Sequence, residues 1–130
     1  MDFIPYKANE VFEHKYYQIP MELFFNTNYK NKLNSDSKIL YGFLLNRLTL
    51  SAKNNWCDED GNIYLIFTRK EVQELLNLSD KTATKAFKQL SDCKLIYEKK
   101  QGSTKPNLIN EKRLSYKRLW KIFHSKIPIL

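Results

Sequence analysis

The run Thr68-Arg69-Lys70-Glu71-Val72-Gln73-Glu74-Leu75-Leu76-Asn77-Leu78-Ser79-Asp80-Lys81-Thr82-Ala83-Thr84-Lys85-Ala86-Phe87-Lys88-Gln89-Leu90-Ser91-Asp92-Cys93 decides the fold. Thr68 followed by Glu71 is a capping box, in which each side chain satisfies a backbone N–H of the other, so a helix starts at Arg69. Val72, Leu75, Leu76 and Leu78 are expected to form its core face. Asn77 tolerates the left-handed backbone that ends a helix, and Ser79 accepts an N–H at the start of the next. The second helix is predicted over residues 80–93, with Ala83, Ala86, Phe87 and Leu90 on one apolar stripe. Only a tight turn fits between the two, which is the geometry of a helix-turn-helix.

Reading outward from this pair, Leu95-Ile96-Tyr97-Glu98-Lys99-Lys100 alternates as a strand, residues 101–106 make a turn, and Asn107-Leu108-Ile109 returns. Upstream, Ile63-Tyr64-Leu65-Ile66-Phe67 reads as one buried strand. Asp58-Glu59-Asp60-Gly61 reads as a turn, because it lacks the alternating ligands of a calcium loop. A central helix is predicted over residues 36–50, capped by Ser35 or Ser37. It is apolar on more than one face between Ile39 and Leu45, as expected of a helix at the centre of a domain or against a second chain. Asn26 to Asn34 is polar and reads as a loop. Tyr16-Tyr17-Gln18-Ile19 reads as a short strand, and Pro20 leads into a short helix over residues 21–25. Helix, strand, helix, helix, strand, basic turn, strand is the order of a winged helix-turn-helix. The expected fold class is α+β, mainly helical. The expected organisation is an N-terminal arm over 1–34, the winged domain over 35–110 and a basic amphipathic tail over 111–130.

Charge points to a polyanionic partner. Lys and Arg number 22 against 14 Asp and Glu, a formal net charge of +8. Residues 1–50 carry six basic and five acidic groups, residues 51–110 ten and eight, and residues 111–130 six and one. From Lys81 to Lys105 seven lysines face only Asp92 and Glu98. The apolar stripe of the second helix leaves Lys81, Thr82, Thr84, Lys85 and Lys88 outward, residue types suited to phosphate oxygens and base edges. Lys99, Lys100 and Lys105 surround the tip of the hairpin. Lys94 suits the dipole at the end of the second helix better than DNA.

Other chemistries find no footing. The three glycines, Gly42, Gly61 and Gly102, are isolated, which excludes a P-loop or dinucleotide fingerprint. Cys57 and Cys93 make no disulfide framework, and His14 and His124 lie far apart, so no metal, cofactor or catalytic residue is expected. The first residues do not read as a signal peptide, and no apolar run approaches the roughly 18 residues of a membrane span. A soluble, cytoplasmic protein is expected.

Tyr16 to Phe24, Asp36 to Gly42, Arg69-Lys70-Glu71-Val72 and above all Ser79 to Ile96 resemble the N-terminal domain of the RepA_N-type plasmid replication initiators of Gram-positive bacteria. The resemblance runs in order over residues 10–109. It implies a winged-helix domain that binds repeated double-stranded DNA sites in a plasmid origin, usually as a homodimer. It also implies a second, C-terminal domain, not present in this chain, that brings in host replication proteins. Carried over, the DNA-contacting positions are Lys81, Thr82, Thr84, Lys85 and Lys88, with wing contacts at Lys99, Lys100 and Lys105. After Ile109 the sequence departs from the pattern, since Asn110-Glu111-Lys112-Arg113 stands where apolar strand residues are expected. A winged-helix transcriptional regulator and a winged-helix protein-interaction module are the alternative functions. In the tail, Tyr116, Trp120, Phe123 and Ile127 recur at i, i+4, i+7 and i+11 among basic residues, a pattern suited as a helix to a membrane surface, a partner helix or DNA phosphates, and equally compatible with a disordered segment or one packed loosely on the core, since an isolated helix of this length is marginal in water.

Overall fold

The computed structural model describes residues 2–10 and 14–114. Among these residues four helices, α1 (Glu22–Phe25), α2 (Ser35–Lys53), α3 (Arg69–Leu76) and α4 (Asp80–Asp92), precede an antiparallel hairpin of β1 (Ile96–Lys99) and β2 (Leu108–Glu111). The fold is α+β and mainly helical, with the helix-turn-helix followed by its wing. The stripe Tyr116, Trp120, Phe123 and Ile127 lies outside the described residues.

The core forms where α4 packs against α2, α3 and β1. Ala83, Ala86, Phe87 and Leu90 of α4 are fully buried against Leu40, Tyr41 and Leu44 of α2 and Val72 of α3. The two alanines let α4 approach closely, and Phe87 fills the space they leave. Leu95, Ile96 and Ile109 carry the core into the wing. Each such aliphatic side chain contributes about 1.5–3 kcal/mol by leaving water.

Several local features differ from expectation. The cap of α2 is Asn34, whose side chain accepts the Ser37 N–H at 2.9 Å; Ser35 and Ser37 lie inside the helix. The Asn-rich segment before it buries Tyr29 and Leu33 in the core through successive turns. Tyr16 to Ile19 forms no strand and pairs with none among the described residues. It lies along α2, with the Tyr17 and Phe43 ring centroids 4.1 Å apart and Ile19 pressed onto Gly42, while Tyr16 stays exposed. Residues 63–67 form no continuous strand. Leu65 exchanges both backbone hydrogen bonds with Ile109 and Ile63 bridges to Cys57, while the Ile66 carbonyl accepts from Arg47 instead of a ladder partner. Leu75 is 54% exposed rather than part of the core face, because a two-turn helix meets the core along one line, on the Val72 and Leu76 side. Beyond Ile109 the hairpin does not break: β2 continues to Glu111, and the Asn110 side-chain amide donates to the Ile63 carbonyl.

Candidate nucleic-acid interface

Both caps of the helix-turn-helix form as their residue types dictate. Thr68 and Glu71 close the capping box, Asn77 stands at φ 53°, ψ 51°, and the Ser79 side chain accepts from the Thr82 N–H. Asn77, Leu78 and Ser79 are the whole connection between α3 and α4. Gln73 of α3 donates to the Asp80 carboxylate at 3.2 Å, a further tie across the turn.

At about 100° per residue, Lys81, Thr84, Lys85 and Lys88 fall within one arc of α4 opposite the buried stripe. All four are exposed. Thr82 sits at the edge of that arc, half-buried, with its hydroxyl 2.9 Å from that of Ser79. It therefore belongs to the cap as much as to the outer face. Lys88 pairs with Asp92 at 2.7 Å; both are largely exposed, and such a pair yields readily to a phosphate. Lys94 has a left-handed backbone (φ 58°) just past the end of α4, and its N–H closes on the Ser91 carbonyl.

In the wing, Glu98 opposes Ile109 and Lys99 opposes Leu108. Alternation along β1 puts Ile96 and Glu98 on the face toward the helices and Tyr97 and Lys99 on the other. Lys100 and Lys105 flank the tip, where Gly102 takes φ 114° and the Gln101 side chain closes the loop on the Pro106 carbonyl at 2.8 Å. The acidic turn 58–61 forms as expected. The Asn62 N–H, with the Asn62 side chain and the Asp60 N–H, holds the Asp58 carboxyl below its usual range, and the charge of Lys99 adds to this. Lys99 thus stands near a carboxylate, a proximity that sequence reading did not foresee.

What fixes the wing against α4 is a residue outside the expected set. Arg69, the first residue of α3, lies over the Phe87 ring of α4 with its guanidinium carbon 3.8 Å from the centroid. The same guanidinium donates to both oxygens of Glu98, with Nη2 to Oε2 at 2.9 Å. One side chain thereby joins α3, α4 and β1. Gln89 does the same on the other side of α4, its Oε1 accepting from the Asn34 N–H at 2.9 Å and lying 2.9 Å from the Ser37 hydroxyl. A third tie comes from Arg47, which stacks on Phe67 and pairs with Glu71 at 2.9 Å. Although burial opposes it, that pairing and the Thr68 hydrogen bonds keep the Glu71 carboxyl below its usual range. Among the described residues no group of three or more His, Cys, Asp or Glu could hold a metal ion, and no helix is long and apolar enough to cross a membrane.

The relatives of this chain carry the same domain. The family described as "Replication initiator protein A (RepA) N-terminus" matches residues 15–125. A "41 kDa protein" of Lactobacillus helveticus is 30% identical over 105 residues, covering 81% of this chain. The match spans 30% of that relative's length. Among solved structures, "N-Terminal domain of DNA binding protein" superposes with a TM-score of 0.72 at 35% identity, covering 95% of this chain and 99% of that one. "Structure of Rep-DNA complex" superposes with a TM-score of 0.73 at 35% identity, covering 98% of each chain. With its fold, its element order and 111 of 130 residues matched, the chain belongs to the family of replication initiator protein A N-termini.

Proposed function

We propose that this domain binds double-stranded DNA at repeated sites of a plasmid origin. In this reading α4 enters a major groove with Lys81, Thr84 and Lys85 toward bases and phosphates. Lys88 and the wing lysines Lys99, Lys100 and Lys105 hold the backbone on either side, and Thr82 reaches it from the cap. The observation that carries this is the arc of three exposed lysines and a threonine directly opposite the buried stripe of α4, braced to a wing with a cationic tip. Lysines on such a face release counterions from DNA, and the hydroxyl adds a directional hydrogen bond. A homodimer acting in the cytoplasm, with half-sites one helical turn or a multiple apart, completes the proposal. Host replication proteins would be engaged through a separate C-terminal domain, and no catalytic role is assigned to this one.

Selection from a random duplex library should recover one repeat. Titration of that duplex over a range of salt then tests the residues. Lys85→Ala should lower affinity and reduce the salt slope by about one unit, as for one lost phosphate contact. Lys7→Ala, on the exposed arm, should change neither. Equal losses from both would defeat the assignment of α4, and recovery of no sequence would favour a protein-interaction module.

A further inference from the structure

Between α2 and the end of the wing lies an open groove of about 930 Å³, lined by Tyr41, Leu45, Leu48, Ile63, Glu111 and Leu114 among others. Its wall is mostly apolar, and Glu111 is the one carboxylate in it among the described residues. Both carboxyl oxygens of Glu111 and the hydroxyl of Tyr41 are buried with no hydrogen-bond partner among the described residues, and Tyr41 as a whole is fully buried. Buried polar atoms are nearly always paired, so this group of acceptors is short of a donor. The cations next to it in sequence do not supply one. Lys112 reaches instead to the Tyr29 hydroxyl at 3.2 Å, and Arg113 is exposed. Burial holds the Glu111 carboxyl up at about 8, as befits a covered acid with no counter-charge beside it.

We propose that this groove receives an arginine side chain of a partner protein, its guanidinium on Glu111 and Tyr41 and its apolar neighbours on Leu45, Leu48, Ile63 and Leu114. The unpaired atoms select arginine. Two open oxygens on a single carboxylate match two parallel N–H groups of a guanidinium, which keeps further N–H groups for the Tyr41 hydroxyl. A lysine ammonium is a point charge and is more strongly hydrated, so it costs more to bring against an apolar wall. A hard metal ion needs more oxygens than one carboxylate and one phenol give it, and among the described residues no group of three or more His, Cys, Asp or Glu could hold one. The wall selects the rest of the segment. The methylene stem of an arginine lies along leucines while its head is paired. The groove is larger than one side chain, so apolar residues beside the arginine fill what remains. Lys112 and Arg113, which also line the groove, disfavour a run of basic residues, so the segment carries a lone arginine among apolar neighbours. The chain makes the same pairing internally, where Arg69 donates to both oxygens of Glu98 while lying on the Phe87 ring. A guanidinium brought against Glu111 releases the carboxyl proton and compensates the covered charge. The inference stands independently of DNA binding.

A random dodecapeptide library displayed on phage supplies the probe. It is selected on the full chain above pH 8, where the carboxyl is charged, and counter-selected on Glu111→Gln. That variant removes a covered charge and should melt no lower than the parent chain under these conditions, so two folded proteins are compared. The peptides that bind the parent alone should carry an arginine between apolar residues. Replacing that arginine by norleucine should weaken binding to the parent at least about tenfold, and Glu111→Gln should bind both peptides equally weakly. Tyr41→Phe, which takes away only the unpaired hydroxyl, should weaken the arginine peptide about threefold and leave the norleucine peptide unchanged. A selection in which no peptide distinguishes the parent from Glu111→Gln overturns the proposal. So do distinguishing peptides that lack arginine, since the groove would then take another group. An arginine peptide that keeps its full advantage over norleucine on Glu111→Gln overturns it as well, because the guanidinium would then be held elsewhere.

Discussion

Arg69 makes the most demanding prediction. Its side chain is 32% exposed and its partner Glu98 only 15% exposed, so the ion pair lies between surface and interior. An exposed pair contributes about 0–1 kcal/mol, whereas removing one partner of a fully buried pair costs about 3–5 kcal/mol. Loss of the guanidinium from over the Phe87 ring adds about 0.5–1 kcal/mol. Arg69→Met, which keeps an apolar stem on the ring, should therefore destabilise the domain by about 2 kcal/mol, most of it from the Glu98 carboxylate left covered and unpaired. Glu98→Gln should cost about 1 kcal/mol, because Arg69 can still reach water. The double variant should recover about 1 kcal/mol relative to the sum, which is the coupling a double-mutant cycle in urea measures. In a domain of this size the single change should lower the melting midpoint by roughly 10 °C. The functional consequence is distinct from that of a phosphate contact. At a temperature where Arg69→Met is fully folded, DNA affinity should fall while the salt slope stays unchanged, since no counterion-releasing group has been removed. A coupling indistinguishable from zero, or undiminished DNA affinity, would refute the idea that this residue sets the wing against α4.

Burial raises the Glu111 carboxyl to about 8, so the folded state holds this proton more tightly than the unfolded chain does. Stability should therefore be greatest below the ordinary carboxyl range and fall as pH rises from there to about 8, by up to about 4 kcal/mol, and Glu111→Gln should flatten that slope in urea titrations at successive pH values. An identical pH dependence in the two proteins would count against the buried carboxyl. At Gly42 a methyl group would stand 2.9 Å from the Ile19 side chain and 3.1 Å from the Gln18 carbonyl oxygen. Gly42→Ala should thus displace the arm and speed tryptic cleavage after Lys15, cancelling the gain of about 1 kcal/mol that alanine brings to a helix interior. Unchanged cleavage with raised stability would show that the arm does not rest there. Ser79→Ala removes the acceptor for the Thr82 N–H and should cost about 1 kcal/mol by thermal melting, a loss that Ser79→Asp should largely restore.

The parts of the fold legible in the sequence are those whose chemistry closes within four residues. The capping box at Thr68, the left-handed Asn77, the Ser79 cap and the stripe of α4 each depend only on neighbours, and each forms as its residues dictate. What escaped reading depends on partners far along the chain. Arg69 and Glu98 are 29 residues apart, and Gln89 and Asn34 are 55 apart. Before folding, all four are ordinary polar residues in ordinary positions. Asn26 to Asn34 misled for a related reason. Its polar residues build the turns, with Asn26 donating to Glu22 and accepting from the Asn28 N–H, and those turns deliver Tyr29 and Leu33 into the core. The strand-like Tyr16 to Ile19 found a helix face instead of a sheet edge. Strand propensity records fitness for a half-buried surface more than for a ladder, and the groove of α2 at Gly42 offers such a surface.

The lysines of α4 and the wing were visible because surface charge needs no partner to be read. Charge alone, however, supplies affinity without orientation, since every phosphate is equivalent to a lysine. Orientation requires that the reading helix hold one attitude relative to the groove and that the wing meet the flanking backbone at a fixed offset. Under the proposed reading those two constraints fall to side chains at the junctions between elements: Gln89 bonding α4 to the start of α2, and Arg69 clamping Phe87 and Glu98 together. A variant with every surface lysine intact but both ties removed should therefore bind duplex DNA with nearly the native salt dependence and little preference for the origin repeat. Competition of the selected repeat against scrambled duplex at constant salt measures that preference directly. Full retention of preference in Arg69→Met combined with Gln89→Leu would show that discrimination resides in the exposed residues alone.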